Sequence, residues 1–233
     1  MKAVILAGGA GTRLRPVTYE IPKPLVPVRK KPILNHLIEF FVRHGVEDIA
    51  IVASRGHEED FKRWQKAWAG EIPGNVSIFY EEKPEGTFGY LRKLKSWIGN
   101  DSFIVSNGDE LKEFDLGALM DFHRAKGATG TVATVPVDDA RAYGVPVTDE
   151  DGMVVEWLEK PENPPSKFVH AGFYILKPEV LDMPDPDQEF VMTEKDVFPK
   201  LVELGQLNAM RLEPARWYDC GTLERWERAM QEW

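Results

Sequence analysis

The chain has 233 residues, 43% of them hydrophobic and 29% charged, a globular composition at a length that buries roughly 70% of the unfolded surface. Its 38 acidic and 29 basic residues leave a net charge of −9, which argues against a general nucleic-acid binder, because that role needs a basic face to release counterions. No apolar run reaches the roughly 20 residues of a membrane span, and a single cysteine, Cys220, excludes an intrachain disulfide and fits a reducing cytoplasm.

Lys2–Ala7 reads as a first buried strand. The run breaks at Gly8 and is followed by Arg13 and Arg15 with no small-residue cleavage site, unlike a secretion signal. Pro32–His44 reads as a helix with Ile33, Leu37, Phe40 and Phe41 on one stripe and Gly45 as its stop. Asp48–Ala53 is a second short, apolar strand, and His57–Trp68 a second helix that would bury Phe61, Trp64 and Trp68. Val76–Tyr80 and Phe103–Ser106 read as strands. Asp115–Lys126 then reads as a helix capped by Asp115, with Leu116, Leu119 and Met120 inward and Gly127 at its end. Such alternation predicts an α/β, doubly wound parallel sheet.

The second half changes character. Thr129–Pro136, Met153–Trp157 and Phe168–Leu176 are strands with few helices between them, so a mixed sheet is expected there. Pro161–Ser166 and Met183–Pro186 read as surface loops. Thr222–Trp233 closes the chain as a helix with Thr222 near its N-cap. No repeat, low-complexity tract or linker interrupts the chain, so a single domain is expected.

Chemistry concentrates directly after the first strand, in L-A-G-G-A-G-T-R-L-R-P-V-T at Leu6–Thr18. Glycines at a strand's C-terminal end let backbone N–H groups approach phosphate oxygens. Arg13, Arg15 and then Lys23 in I-P-K-P-L-V-P-V could neutralise a triphosphate, guanidinium by bidentate contact and ammonium as a point charge. A Rossmann fingerprint would need Gly where Leu14 stands, and a Walker loop would need G-K-[ST], which is absent from this stretch.

With P-K-P-L-V-P, this stretch resembles the signature of sugar-1-phosphate nucleotidyltransferases, in particular mannose-1-phosphate guanylyltransferases and glucose-1-phosphate thymidylyltransferases. The resemblance continues through E-E-K-P-E-G-T, S-N-G-D, Y-G-V, V-V-E-W-L-E-K-P, H-A-G-F-Y-I-L and W-Y-D-C-G-T, in the family's order. It implies a Rossmann-like doubly wound mixed sheet with an inserted sugar-binding sheet region and no C-terminal β-helix. Residues 1–127 would then mainly bind nucleotide, and 128–233 would mainly bind the sugar phosphate and supply the closing helix.

The resemblance also implies roles. Arg13 would stabilise charge on the α-phosphate and departing pyrophosphate, and Lys23 would hold the phosphates. Leu6, Ala7, Gly8, Gly9, Gly11, Thr12, Glu82, Gly86 and Thr87 would line the nucleotide site. Asp109 and Asp219 would ligate Mg²⁺, an ion that takes few carboxylates and completes its shell with phosphate and water oxygens. Asn107, Gly144, Glu159, Lys160 and His170 would receive the sugar phosphate. His170 stands where the family usually has Asn, and Phe88 and Tyr90 where small residues are common near the base. Glu81 or Glu82 could accept from guanine N1–H and N2–H₂, so GTP is favoured over dTTP or UTP. A mannose-1-phosphate guanylyltransferase-like enzyme is expected, with glucose-1-phosphate thymidylyl- or uridylyltransferase and heptose-1-phosphate guanylyltransferase as alternatives, and a non-catalytic sugar-nucleotide sensor as a remote one. The expected partners are an NTP and a sugar 1-phosphate, with no nucleic acid or membrane, and a homo-oligomer is compatible with the reading. Cys220 reads as a packed residue, since no neighbouring His would make it a thiolate.

Overall fold

The computed structural model describes residues 1–233. The first half runs β1 (Lys2–Ala7), β2 (Pro27–Val28), β3 (Lys31–Pro32), α1 (Ile33–Arg43), β4 (Asp48–Ser54), α2 (Glu58–Ala67), β5 (Asn75–Glu81), α3 (Gly86–Gly89), α4 (Lys95–Ile98), β6 (Phe103–Asn107), β7 (Glu110–Glu113) and α5 (Leu116–Lys126). The second half runs β8 (Gly130–Pro136), β9 (Gly144–Thr148), β10 (Val154–Glu159), β11 (Phe168–Leu176), α6 (Phe198–Glu203), β12 (Leu207–Arg211), β13 (Arg216–Asp219) and α7 (Leu223–Glu232). The chain forms two compact units. The first holds Met1–Pro84, Ser106–Glu113 and Arg216–Trp233; the second holds Glu85–Val105 and Phe114–Ala215. The chain leaves the first unit at Pro84, returns for Ser106–Glu113, and returns again with its last helix.

In the first unit β1, β4 and β5 are parallel, with Val4 opposite Ala50 and Ile51 opposite Ile78. Ile49–Ala53 of β4 is buried throughout, the continuous apolar run of a strand covered on both faces. α1 buries Ile33, Leu34, Leu37, Ile38, Phe40 and Phe41, a wider stripe than its helical spacing alone suggests. α2 carries Glu58, Glu59 and Asp60 in its first turn, favourable at a helix N-terminus, and buries Phe61 and Trp64. The Trp64 Nε1–H donates to Asn35 Oδ1 at 2.7 Å, while Trp68 lies one residue past the helix, half-buried. β7 and β13 pair antiparallel, with Glu110 opposite Asp219 and Leu111 opposite Tyr218. α7 starts as expected: Thr222 Oγ1 accepts from the Arg225 N–H at 3.3 Å.

In the second unit β8 pairs antiparallel with β11 and parallel with β12, and β9 pairs antiparallel with β10, so the sheet character is mixed, as the sequence implies. α5 has the expected ends: Asp115 Oδ1 accepts from the Ala118 N–H at 2.9 Å, and Gly127 takes φ 67°. Leu116 and Leu119 are buried, but Met120 is only half-buried, and His123 occupies the inner face instead. Its ring is hydrogen-bonded to Thr131 Oγ1 (2.8 Å) and Ser102 Oγ (3.1 Å), and burial pulls its pKa down to about 4. No helix is long and apolar enough to cross a membrane.

Candidate active site

The chain leaves β1 through Gly8 and Gly9 and turns at once. A side chain at Gly8 would put its Cβ 2.1 Å from Glu81 Oε1, so the absence of one lets the Glu81 carboxylate lie against the glycine backbone. The turn at Thr12–Leu14 follows, pinned where Thr18 Oγ1 donates to the Gly11 carbonyl at 2.8 Å. Leu14 is the buried anchor of this turn, and Thr12 and Arg13 stand exposed on it. Arg13 has no ion-pair partner in the chain, so its guanidinium is available to an incoming anion. Lys23 starts the next turn, Lys23–Leu25, and is buried, with its ammonium on the Asp109 carboxylate.

Asp109 is placed by the glycine before it. The Gly108 N–H donates to the Leu6 carbonyl at 2.9 Å, and a Cβ there would sit 2.7 Å from that oxygen, so only Gly brings S-N-G-D this close to the end of β1. The Asp109 carbonyl in turn accepts from the Cys220 N–H at 3.2 Å, which brings Asp109 and Asp219 to neighbouring backbone positions. Burial alone would raise the Asp109 carboxyl, but the Lys23 ammonium and its hydrogen bond, with Lys112 behind, hold it below its ordinary value. The Asp219 carboxylate is gripped by Arg225 from α7. Cys220 is fully buried, and burial, with Asp109 and Asp219 nearby, pushes its thiol up to about 12, which removes it as a nucleophile at neutral pH.

Beneath the two aspartates lies a buried charged network. Glu110 Oε2 accepts from the Trp217 Nε1–H at 2.7 Å and meets Lys112 Nζ at 2.9 Å, and Oε1 accepts from Asn107 Nδ2 at 2.8 Å. Burial pushes the Glu110 carboxyl up, Lys112 opposes it, and Asp109 and Asp219 add to it by repulsion. The Asn107 side chain is thus committed to Glu110.

The two adjacent glutamates considered for base reading differ sharply. Glu81 is buried against Gly8, whereas Glu82 is 73% exposed and paired with Arg55 at 2.9 Å.

The remaining candidates fall in the second unit. Gly86 has φ 83° and lies where a Cβ would meet the Val191 carbonyl at 2.2 Å. Thr87 Oγ1 donates to Glu194 Oε2 at 2.7 Å and accepts from the Thr193 N–H at 2.8 Å, so the threonine ties down the 191–194 segment. Phe88 is fully buried, a core residue of this unit. Gly144 and Glu159 face each other across β9 and β10. Lys160 follows with φ 52°, its backbone N–H on the Tyr143 carbonyl (3.1 Å) and its Nζ 3.2 Å from Glu159 Oε1. His170 is buried on β11, with Trp157 and Tyr174 rings at 5.5 and 5.6 Å. Glu194 is half-buried; desolvation raises its carboxyl, opposed by the Thr87 hydrogen bond.

The sequence offered little sign of several of these partners. Arg225, Glu110, Lys112 and Glu194 carry no motif of their own on a first reading, and Trp157 lies inside V-V-E-W-L-E-K-P with no role assigned to it there. The only local hint for Arg225 is its place three residues past the Thr222 cap, where its backbone is fixed.

Residues 2–233 match the nucleotidyl transferase family model, and the chain belongs to that family. It is 36% identical over 245 residues to a UTP–glucose-1-phosphate uridylyltransferase of Synechocystis, covering 99% of this chain and 63% of that protein. It is 36% identical over 223 residues to a mannose-1-phosphate guanylyltransferase of Mycobacterium tuberculosis, covering 95% of this chain and 61% of that protein. The chain thus spans a little over three-fifths of the length of these curated relatives. Among solved structures, HddC from Yersinia pseudotuberculosis complexed with GMP-PN superposes with a TM-score of 0.82 at 29% identity, over 99% of this chain and 98% of that one. The Rossmann-like α/β fold implied by the motifs is the fold of the protein.

Proposed function

We propose that the chain transfers a nucleoside monophosphate from a nucleoside triphosphate to a sugar 1-phosphate, giving a nucleoside diphosphate sugar and pyrophosphate. The observation that carries this reading is the Lys23 ammonium on the Asp109 carboxylate, beside Asp219 and directly behind the glycine-rich turn after β1. The residues fit a magnesium ion: Asp109 and Asp219 offer hard anionic oxygens from neighbouring backbone positions. Two carboxylates leave the rest of a magnesium shell to phosphate and water. When bound, the ion would neutralise charge on the phosphates.

The chain's own part is positioning and charge. Lys23 and Arg13 bring two cations to the phosphates, one buried and one exposed. A sugar-phosphate oxygen attacks the α-phosphorus in line, the bond to the β-phosphate breaks, and pyrophosphate leaves with the electron pair. The nucleophile is already an anion at neutral pH, so no general base is required, and catalysis rests on orienting two anions and offsetting charge in the transition state. Arg225 fixes the Asp219 carboxylate, and the Glu110–Lys112 pair underlies both aspartates. The sugar half of the reaction falls to Gly144, Glu159, Lys160 and His170.

For the base, Glu81 is the better candidate of the two glutamates, being buried against Gly8 while Glu82 is exposed and paired with Arg55. A buried carboxylate accepts two hydrogen bonds from guanine N1–H and N2–H₂, and the wrong base strands it. GTP is therefore the favoured triphosphate, and similarity to mannose-1-phosphate guanylyltransferases makes mannose 1-phosphate the favoured sugar. A screen of GTP, dTTP, UTP and ATP against mannose, glucose and heptose 1-phosphates, read as pyrophosphate release, tests this. GTP should lead, and Glu81→Gln should weaken its lead. A clear preference for dTTP or UTP would overturn the base assignment, and no release from any pair would overturn the reaction.

A further inference from the structure

Two buried polar atoms on β10 have no hydrogen-bond partner: Trp157 Nε1 and Glu159 Oε2. They belong to residues two apart, whose side chains emerge on the same face of the strand. Glu159 uses its other oxygen, Oε1, on Lys160 Nζ at 3.2 Å. Across from them, Gly144 has no side chain, and a Cβ there would lie 2.7 Å from Trp157 Cζ2 and 3.1 Å from Glu159 Oε2. The indole edge that carries the N–H and the unused carboxylate oxygen therefore flank one bare stretch of backbone.

An indole here is costly if packing is its only purpose. Its ring packs tilted against Phe198 (4.6 Å between centroids) and edge-on to His170 (5.5 Å), which a phenylalanine would also do. Phenylalanine would do so without stranding a donor, and a buried donor left unpaired is rare in folded chains because it forfeits its hydrogen bond to water. A donor next to an acceptor, over an aromatic floor, matches a polyol ring: hydroxyl oxygens accept and hydroxyl protons donate, while C–H faces lie on the aromatic rings.

We infer that the Trp157 indole N–H donates to a ring-hydroxyl oxygen of the sugar 1-phosphate, making Trp157 a specificity-determining residue that reads a hydroxyl separately from Glu159. The inference rests on the sugar-1-phosphate reading above. The consequence is a position on the sugar ring at which the chain requires a hydrogen-bond acceptor. A deoxy sugar fails there by stranding the indole, and an ammonium group fails there by setting donor against donor.

The test compares wild type and Trp157→Phe on the parent sugar 1-phosphate, each monodeoxy analogue and each deoxyfluoro analogue, reading kcat/KM by pyrophosphate release. Trp157→Phe should cut kcat/KM for the parent sugar about 10- to 100-fold, the cost of one lost or stranded hydrogen bond. The KM for the triphosphate and the thermal midpoint should not fall. At one ring position the deoxy penalty seen in wild type should vanish in Trp157→Phe, and fluorine there, an acceptor without a donor, should restore part of the wild-type rate. Should Trp157→Phe fold poorly, the wild-type contrast between deoxy and deoxyfluoro sugars decides alone. Equal kcat/KM for wild type and Trp157→Phe, an unchanged set of deoxy penalties, or no fluorine rescue at any position would overturn the inference while leaving nucleotidyl transfer intact. Wild type inactive on every sugar 1-phosphate would instead remove the functional reading, and this inference with it.

Discussion

Replacing Glu110 by Gln should destabilise the protein by about 3–5 kcal/mol, the cost of leaving a buried charge without its partner. The Lys112 side chain is fully buried and that of Glu110 is 8% exposed, so water cannot take over when the carboxylate goes. Glu110 accepts three bonds: Lys112 at 2.9 Å, the Trp217 indole at 2.7 Å and the Asn107 amide at 2.8 Å. A Gln amide can accept on one side only: with its oxygen on Lys112 and Trp217 it turns its NH2 toward the Asn107 amide donor, and the reverse orientation sets donors against both Lys112 and Trp217. At about 2–4 °C per kcal/mol for a chain of this size, the thermal midpoint should drop on the order of 10 °C. Glu110→Leu combined with Lys112→Met removes both desolvation costs and should recover most of the loss. The Trp217 and Asn107 donors would still be stranded, leaving a deficit of about 1–3 kcal/mol. Guanidinium unfolding of the two singles and the double gives the coupling directly, expected above about 2 kcal/mol. Glu110→Gln within about 1 kcal/mol of wild type, or strictly additive variants, would refute the claim that this pair is a buried, interdependent unit.

Asp109→Asn and Asp219→Asn should each abolish turnover while circular dichroism shows the fold retained, with a lower thermal midpoint for Asp109→Asn because it leaves the Lys23 ammonium buried without its partner, and EDTA should silence the wild type. Near-normal pyrophosphate release by either variant at saturating Mg²⁺ would remove that residue from the metal site. Arg13→Ala should lower kcat by on the order of 10²–10³-fold with a smaller rise in KM, because its charge counts most as pyrophosphate departs; a change confined to KM for the triphosphate would make it a ground-state contact. His123 sets a pH dependence of stability. Its folded pKa of about 4 lies below the ordinary 6.5, so the unfolded chain binds the extra proton between those values. Stability should therefore be full above about pH 6.5 and fall as pH drops toward 4, by up to about 3 kcal/mol. His123→Gln should flatten that slope in urea titrations at pH 7, 6, 5 and 4.5, and an unchanged slope would assign it elsewhere.

Long periodic segments with strong end signals were legible in the sequence. Asp115 and Gly127 bracket α5 because one accepts the first-turn N–H and the other takes a positive φ, both local effects. β1 and β4 read correctly because their burial leaves a nearly unbroken apolar run. What escaped is tertiary in origin. β7, with the sequence E-L-K-E, looks like an exposed loop, since Glu110 and Lys112 are buried only because each finds the other and β13 covers them. On α5 the inner position beyond Leu119 belongs to His123, not Met120, because Thr131 and Ser102 supply hydroxyls that a periodicity argument does not see. For the site, the resemblance through P-K-P, S-N-G-D and W-Y-D-C-G-T pointed to Lys23, Asp109 and Asp219, whereas telling Glu81 from Glu82 needed the strand's end, since only the fold puts one carboxylate on Gly8 and the other on Arg55.

The most direct test of the central claim is a product balance. The chain is incubated with GTP, mannose 1-phosphate and Mg²⁺, and nucleotide and phosphate species are followed by ³¹P NMR. The account predicts one pyrophosphate for each nucleoside diphosphate sugar formed, with neither appearing when the sugar phosphate is omitted or Lys23 is replaced by Ala. Pyrophosphate released without sugar phosphate, release of orthophosphate and GDP in its place, or full activity of Lys23→Ala would contradict it.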